Sequence, residues 1–150
     1  MTPSAFSIKR PPLSVARICF PFFLTAAGGA LYYLIEILFR GFSHWTMAIC
    51  GGFCLTAIFY LNRALHRLPL ILRALLAAAV ITAVELVAGY LLNIRLGMAI
   101  WDYSRHSHNL WGQISLYASM RWLLLCIPVC GVCRLLERLI FRKPHTVHDG

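Results

Sequence analysis

Long apolar runs constrain this chain more than any other feature of its sequence. Segments rich in Leu, Ile, Val, Phe and Ala cover about residues 16–39, 46–61, 70–93 and 114–135. An α-helix rises about 1.5 Å per residue, so runs of this kind can cross a hydrocarbon core of about 30 Å. The pattern predicts an all-α integral membrane protein, a four-transmembrane-helix bundle in which residues 1–150 form a single membrane domain.

The overall composition supports a membrane class. The chain is 60% hydrophobic and 13% charged, whereas soluble domains carry about 25% charged residues. The net charge of +9 does not indicate a nucleic-acid-binding protein, because the basic residues lie at the ends of apolar segments and not in one stripe. We expect membrane lipids with anionic headgroups as the partners of these charges, and no nucleic acid.

The first apolar segment has one rival interpretation. Its small residues from Ala26 to Ala30 could belong to a cleaved signal peptide. The apolar run continues well beyond them, to Phe39, which favours a membrane span. Glu36 is the only charged residue in the later part of this span.

The basic residues predict the orientation of the bundle. The positive-inside rule places the more basic side of a membrane protein in the cytoplasm. One side carries ten basic residues: Lys9, Arg10, Arg17, Arg63, Arg67, Arg73, Arg134, Arg138, Arg142 and Lys143. The other side carries three, namely Arg40, Arg95 and Arg105. We therefore expect a bacterial inner-membrane protein with both termini cytoplasmic and a basic tail over residues 136–150, which ends in a disordered PHTVHDG.

The link between the third and fourth spans is unusual for a membrane loop. Residues 93–113, NIRLGMAIWDYSRHSHNLWGQ, mix aromatic, acidic and basic side chains. The segment is predicted to lie on the bilayer surface or to dip into it as a re-entrant loop.

Two groups of residues are expected to serve packing. The six cysteines lie in or beside apolar segments, where thiols behave as small hydrophobes. The Gly pairs in TAAGGALYY and AICGGFCL permit close contact between helices. His106, His108 and either Glu36 or Asp102 could form a metal site, but six histidines in all are too few for a membrane di-iron enzyme, so we expect no metal. We expect no cofactor, and no Walker A or hydrolase motif is present.

Ionisable residues inside the apolar segments are the first candidates for function, because they are costly there. Helix rise places Glu85 about 8 Å below the outer edge of the hydrocarbon and Arg121 about 10 Å below it. These depths predict that Glu85 and Arg121 face each other, either as a structural ion pair or as part of a site. Glu36 and Asp102 belong to the same outer half, where Glu36 could also be a simple wet interface residue.

Several motifs resemble a known family. VELVAGYLLN (84–93), WDYS (101–104), NLWGQISL (109–116) and GGALYYLIEILFRGFSHWTMAICGG (28–52) are similar to the CmpB-type ABC-transporter (type IV) permease-like membrane proteins. The resemblance covers roughly residues 20–125. It implies a multi-pass transport component, with a separate ATPase and other membrane subunits as partners. The family's marked positions fall here on Glu36, Glu85, Gly89, Trp101, Asp102, Tyr103, Ser104, Asn109 and Gly112.

The WDYS motif also has a local structural interpretation. Asp102 can accept hydrogen bonds from Ser104 or the backbone in a tight turn. Trp101 and Tyr103 would lie at the headgroup level, and Asn109 would cap the fourth helix.

Three hypotheses for function follow. The first is a transporter or permease-like component with a polar pocket in the outer half, lined by ligand or ion-path candidates: Glu36, Glu85, Trp101, Asp102, Tyr103, Asn109 and Arg121. The second is an intramembrane enzyme that modifies a lipid or isoprenoid, with Glu85 as general acid and Asp102 as base. The third is a structural or regulatory subunit. Small residues on the helix faces are compatible with a homo-oligomer.

Overall fold

The computed structural model describes residues 13–141, with side chains from Ile18 onward, as an antiparallel arrangement of four long helices. The helices are α1 (Leu13–Arg40), α2 (Trp45–Ala64), α3 (Leu70–Gly89) and α4 (Leu116–Phe141). A π-helical turn, Tyr90–Arg95, continues α3. Two short antiparallel strands, β1 (Asn109–Leu110) and β2 (Ile114–Ser115), precede α4. The end of the bundle that carries the strands is called the loop end below.

Local chemistry ends the helices where the chain turns. Gly41 adopts a φ of +77°, which terminates α1. His44 then caps α2, since its ring nitrogen Nδ1 accepts from the Thr46 backbone N–H at 3.4 Å. Pro69 lies just before α3, where proline fits because it lacks an N–H to satisfy. The connections from α1 to α2 and from α2 to α3 are short, so these consecutive helices lie side by side.

The Gly pairs bring α1 and α2 into close contact, which confirms their predicted packing role. A Cβ atom on Gly29 would meet the Ala48 carbonyl oxygen, and one on Gly52 would meet the Thr25 carbonyl oxygen. The hydroxyls of Thr25 and Thr56 lie 2.9 Å apart across the same contact. Any larger residue at these glycines would force the two helices apart.

The main core joins all four helices toward the end opposite the loop end. Three of the cysteines belong to it, as expected from their apolar surroundings, with Cys126 and Cys130 fully buried. The other buried members are Phe20, Leu24, Ile58, Phe59, Ala74, Ala77, Ala78, Ile81 and Cys133. Small residues on α3 let it pack closely against its neighbours.

Within residues 13–141, three helices are long and apolar enough to cross a membrane: Ile18–Arg40, Trp45–Ala64 and Leu70–Arg95. Their outward faces carry large apolar side chains such as Phe22, Phe39 and Ile71, which are at least 63% exposed. Such faces suit lipid better than water. The protein is therefore a helical membrane protein, and a fourth span over α4 remains a prediction.

The structure adds detail to two expectations about charge and helix boundaries. Arg73, one of the ten basic residues on the predicted cytoplasmic side, is 1% exposed in the first turn of α3, where its guanidinium donates to the Asn62 side chain. Asn62 in turn donates to the Cys130 carbonyl at 2.6 Å. The helix α4 continues to Phe141, into the segment predicted as a tail. The predictions for Lys9, Arg10, Arg142, Lys143 and PHTVHDG lie outside the described residues.

Candidate ligand cavity and the loop that closes it

Residues 96–115, called the closing loop below, fold back over the loop end of the bundle. Its two strands pair Asn109 with Ser115 and Leu110 with Ile114. The backbone N–H of Tyr103 donates to the Gly112 carbonyl at 2.7 Å and ties the first half of the loop to the second. The loop is a compact unit stabilised by its own hydrogen bonds.

The predicted turn at Asp102 is present. Its Oδ1 accepts from the Ser104 N–H and its Oδ2 from the Ser104 hydroxyl, each at 2.8 Å. These two bonds lower the pKa of the exposed Asp102 carboxyl. Gly112 lies against the carboxylate with φ +69°, and a Cβ atom there would come within 2.6 Å of Oδ1. Asp102 thus organises the turn and points away from the bundle interior.

Asn109 does not cap α4, contrary to the sequence-based prediction. Its amide donates to the His106 carbonyl at 2.8 Å, and its oxygen accepts from the Gly112 N–H at 3.0 Å. The helix begins later, and Ser115 caps it by accepting from the Ala118 N–H at 3.2 Å. The strand pair consumes the residues that were expected to start the helix, so Asn109 stabilises the loop.

The Trp101 side chain is buried between the closing loop and the bundle. The sequence-based prediction of a position at the headgroup level is therefore wrong. Trp101 is 8% exposed, and its indole N–H donates to the Gln113 carbonyl at 2.9 Å. Asn93 joins the π-helical turn to the loop by donating to the Trp101 carbonyl at 3.0 Å and to Gln113 Oε1 at 2.9 Å. A Cβ atom on Gly89 would collide with the same Gln113 side chain, at 2.5 Å from Oε1. The sequence alone assigns no role to Asn93 or Gln113, because these residues lie 20 positions apart and only folding brings them together.

Glu36 anchors α1 to the loop end and is not a wet interface residue. It is only 7% exposed. Its two oxygens accept from Arg40 at 2.8 Å and from the Ser43 hydroxyl at 2.6 Å. Arg40 also donates to the Ile100 carbonyl at 2.9 Å, which connects α1 to the closing loop. The acid therefore orients an arginine that binds the loop backbone.

Glu85 binds two neutral donors and not Arg121, so the predicted ion pair is wrong. Its Oε1 accepts from the Tyr103 hydroxyl at 2.8 Å and its Oε2 from the Trp122 indole N–H at 3.0 Å. Among the described residues the ion pairs are Glu36–Arg40 and Arg63–Glu137. Arg121 instead lies over the Tyr117 ring, with its guanidinium carbon 5.7 Å from the ring centroid. Helix rise predicts depth along α4 but not rotation about its axis, and the observed rotation turns Trp122 inward and Arg121 outward.

The Tyr103 hydroxyl is a dependable donor to Glu85. Burial raises its pKa above the usual value near 10, and the charge of Glu85 raises it further. The hydroxyl therefore stays protonated through the physiological range. Glu85 thus connects α3 to the closing loop through Tyr103 and to α4 through Trp122.

A cavity of about 180 Å³ lies below the closing loop, between the helices. Glu85 and Trp101 are the predicted site residues that line it; Glu36, Asp102, Tyr103, Asn109 and Arg121 do not. The expected polar pocket is thus an apolar cavity that contains one carboxylate. Its lining is Gly28, Leu31, Tyr32, Ile35, Met47, Cys50, Gly51, Cys54, Leu55, Ile58, Ile81, Val84, Glu85, Ala88, Trp101, Trp122, Leu125, Cys126 and Val129.

The cavity opens sideways. Leu31 and Ile35 of α1 and Leu125 of α4 line it and are also 57%, 41% and 41% exposed on the outer surface. Residues that face both an interior space and the exterior mark its mouth. Across the same seam, the Tyr32 and Trp122 rings lie 6.1 Å apart. The mouth therefore lies between α1 and α4, on a surface of apolar side chains.

Comparison with known proteins gives one positive result. A family model described as "Putative ABC-transporter type IV" matches residues 18–148. No match is found among curated proteins or among solved structures. The matched region contains α1 from Ile18 onward, the other three helices, the closing loop and every residue that lines the cavity. The chain therefore belongs to this CmpB-type family, which carries the description "Putative ABC-transporter type IV".

Proposed function

We propose that this protein is the permease-like membrane component of a transporter and that it binds a lipid-soluble molecule in the cavity below the closing loop. The observation that carries the proposal is an apolar cavity that opens sideways onto the membrane-facing surface and holds one carboxylate. Ligand sites in membrane proteins commonly combine apolar walls with a few placed polar groups.

Glu85 supplies the carboxylate of the site. Both of its oxygens already accept one hydrogen bond from the protein, so its position is set before a ligand arrives. Each carboxylate oxygen can accept a further bond. A ligand in the cavity would therefore meet apolar side chains on most sides and one oriented acceptor.

The other two hypotheses lose their geometric basis. An enzyme with paired carboxylates needs Asp102 near Glu85, yet Asp102 binds Ser104 on the exposed loop and does not line the cavity. A subunit held in register by Glu85 and Arg121 needs an ion pair that does not form between these described residues. Transport therefore remains the function that the site supports best.

The family assignment supports a set of further proposals for the assembly. In this proposal a separate ATPase supplies the energy, with other membrane subunits or a second copy of this chain completing the complex. The protein crosses the bacterial inner membrane four times, with both termini in the cytoplasm. Exposed apolar residues on α4, such as Leu124, Val132 and Leu139, support its contact with lipid.

The test is native mass spectrometry of the purified protein in mild detergent. Ala88→Leu adds bulk inside the cavity, whereas Ala83→Leu adds the same bulk on the exposed face of the same helix. We expect a bound small molecule on the wild-type protein and on Ala83→Leu, and its loss from Ala88→Leu. Glu85→Gln should weaken its retention without emptying the cavity.

The same bound species on both leucine variants would contradict the proposal, because binding would then not involve the cavity. Far-UV circular dichroism of each variant shows whether it retains its helices. The wild-type protein carrying only a broad mixture of bulk lipid, unchanged in Ala88→Leu, would also contradict it.

A further inference from the structure

An arginine with no acidic partner lies beside the mouth of the cavity. Arg121 is exposed, and the described residues offer it no carboxylate within an ion-pair distance. Its guanidinium lies over Tyr117, which is 57% exposed. The His106 ring stacks on the same tyrosine, with centroids 5.1 Å apart and planes at 13°. The result is an exposed basic and aromatic surface on the outer side of α4.

Helix geometry aligns this surface with the mouth. Residues four apart lie on the same face of a helix, so Tyr117, Arg121 and Leu125 form one row. Leu125 is the α4 residue at the mouth. Helical side chains point toward the N-terminus, so Arg121 extends toward the loop end. Its position five residues into α4 puts its Cα only about 8 Å below the start of the helix, within reach of the headgroup region.

We propose that Arg121 and the cavity form one binding site for an anionic amphiphile. Its apolar chain enters between α1 and α4, and its phosphate or carboxylate group binds the Arg121 guanidinium at the bilayer surface. The proposal rests on the proposed function and names the substrate class for the same cavity. Charge complementarity supports it, because a guanidinium that makes no ion pair with the carboxylates of the described residues can bind anionic oxygens by charge-assisted hydrogen bonds.

An anionic amphiphile accounts for the position of Arg121 beside the mouth of the cavity. An apolar cavity by itself would take any hydrocarbon, and an exposed arginine by itself would take any anion. Arranged one helical turn apart, they select a molecule in which the anionic group adjoins the chain. A lipid with a neutral headgroup would fill the cavity but leave Arg121 without a counter-ion.

The test uses the tryptophans as reporters. Trp101 and Trp122 line the cavity, whereas Trp45 and Trp111 are more than 60% exposed and are changed to Phe. This protein is placed in dodecyl maltoside micelles, which contain no phosphate or carboxylate, and titrated with 12-bromododecyl phosphate or with neutral 12-bromododecyl glucoside. Bromine quenches tryptophan on contact, so saturable quenching reports a chain in the cavity.

Arg121→Gln is compared with Arg95→Gln, a matched control. Arg95 is also exposed at the loop end and lies over a tyrosine, 5.8 Å from the Tyr90 centroid. We expect Arg121→Gln to weaken binding of the phosphate probe about tenfold, as loss of one charge-assisted contact implies. Binding of the glucoside should change less than twofold, and Arg95→Gln should affect neither probe.

Each other outcome overturns a defined part of the reasoning. Equal weakening of both probes by Arg121→Gln would overturn the headgroup assignment, as would the same effect in Arg95→Gln. Full displacement of the phosphate probe by an equal concentration of inorganic phosphate would show a site for free anions and overturn the amphiphile. Equal saturable quenching by both probes, unchanged in Arg121→Gln, would overturn the role of Arg121 and would still support the cavity as a ligand site. No saturable quenching by either probe would remove the proposed function as well.

Discussion

The hydrogen bond from Tyr103 to Glu85 gives the sharpest test of how the closing loop is held over the cavity. Tyr103→Phe removes the hydroxyl that donates to Glu85 Oε1 at 2.8 Å and leaves the ring in place. A hydrogen bond to a charged group contributes about 1.5–3 kcal/mol. Because the Trp122 indole still donates to the other oxygen, we expect a loss near the lower half of that range, about 2 kcal/mol.

The measurement is equilibrium unfolding in mixed micelles at increasing SDS, followed by far-UV circular dichroism. Tyr60→Phe is the control, since Tyr60 is 41% exposed on α2, and a surface change of this kind should stay within about 0.5 kcal/mol. In a Glu85→Leu background the acceptor is absent. Tyr103→Phe should then cost nothing or be stabilising, because it removes a hydroxyl without a partner.

The difference between the two backgrounds is the coupling energy of the pair. The same cost of Tyr103→Phe in both backgrounds would refute the hydrogen bond as the link between the loop and α3. A loss equal to that of Tyr60→Phe in the wild-type background would refute it as well.

Three further predictions concern the loop and the core. Gly112→Ala should destabilise the protein more than Gly41→Ala in the same SDS titration: both positions have positive φ, but only the new Cβ at 112 meets another group, the Asp102 carboxylate. The pKa of Asp102 is lowered in the folded loop, so its stabilising effect is present above the unfolded value near 3.9 and is lost as pH falls through the lowered pKa. Proteolysis of the loop should therefore increase as pH falls through this range, and Asp102→Asn should abolish that pH dependence. Asn62→Ala removes the acceptor of the buried Arg73 guanidinium, and SDS unfolding should show a loss of about 2–3 kcal/mol, whereas an unchanged midpoint would contradict that role.

Some parts of this structure follow from local sequence because they depend on neighbouring residues. Helix α1 and the glycine contacts with α2 required only apolar runs and pairs of small residues. The turn at Asp102 required only the short reach from its carboxylate to Ser104. The family was recognisable because its motifs are short, ordered and carried by one chain.

The candidate site was less predictable for two physical reasons. Depth along a helix follows from residue number, but rotation about the axis depends on packing, and one position separates the inward Trp122 from the outward Arg121. Partners from distant segments were also invisible. Asn93 and Gln113 became part of the site only because the chain folds back and places both beside Trp101.

The sequence by itself determined that this is a membrane protein, because apolar segments of that length are unfavourable in water. It also determined the helical class, because the backbone hydrogen bonds of a segment in lipid must be made within the protein, as a helix makes them. It also determined that a few ionisable groups would lie near one end. The tertiary structure alone decided which of them meet. Packing turned Glu85 toward Tyr103 and Trp122, buried Trp101 under the loop, and left a cavity where a polar pocket had been expected. Contacts between distant residues depend on how whole helices fit together, and that fit is a property of the assembled bundle.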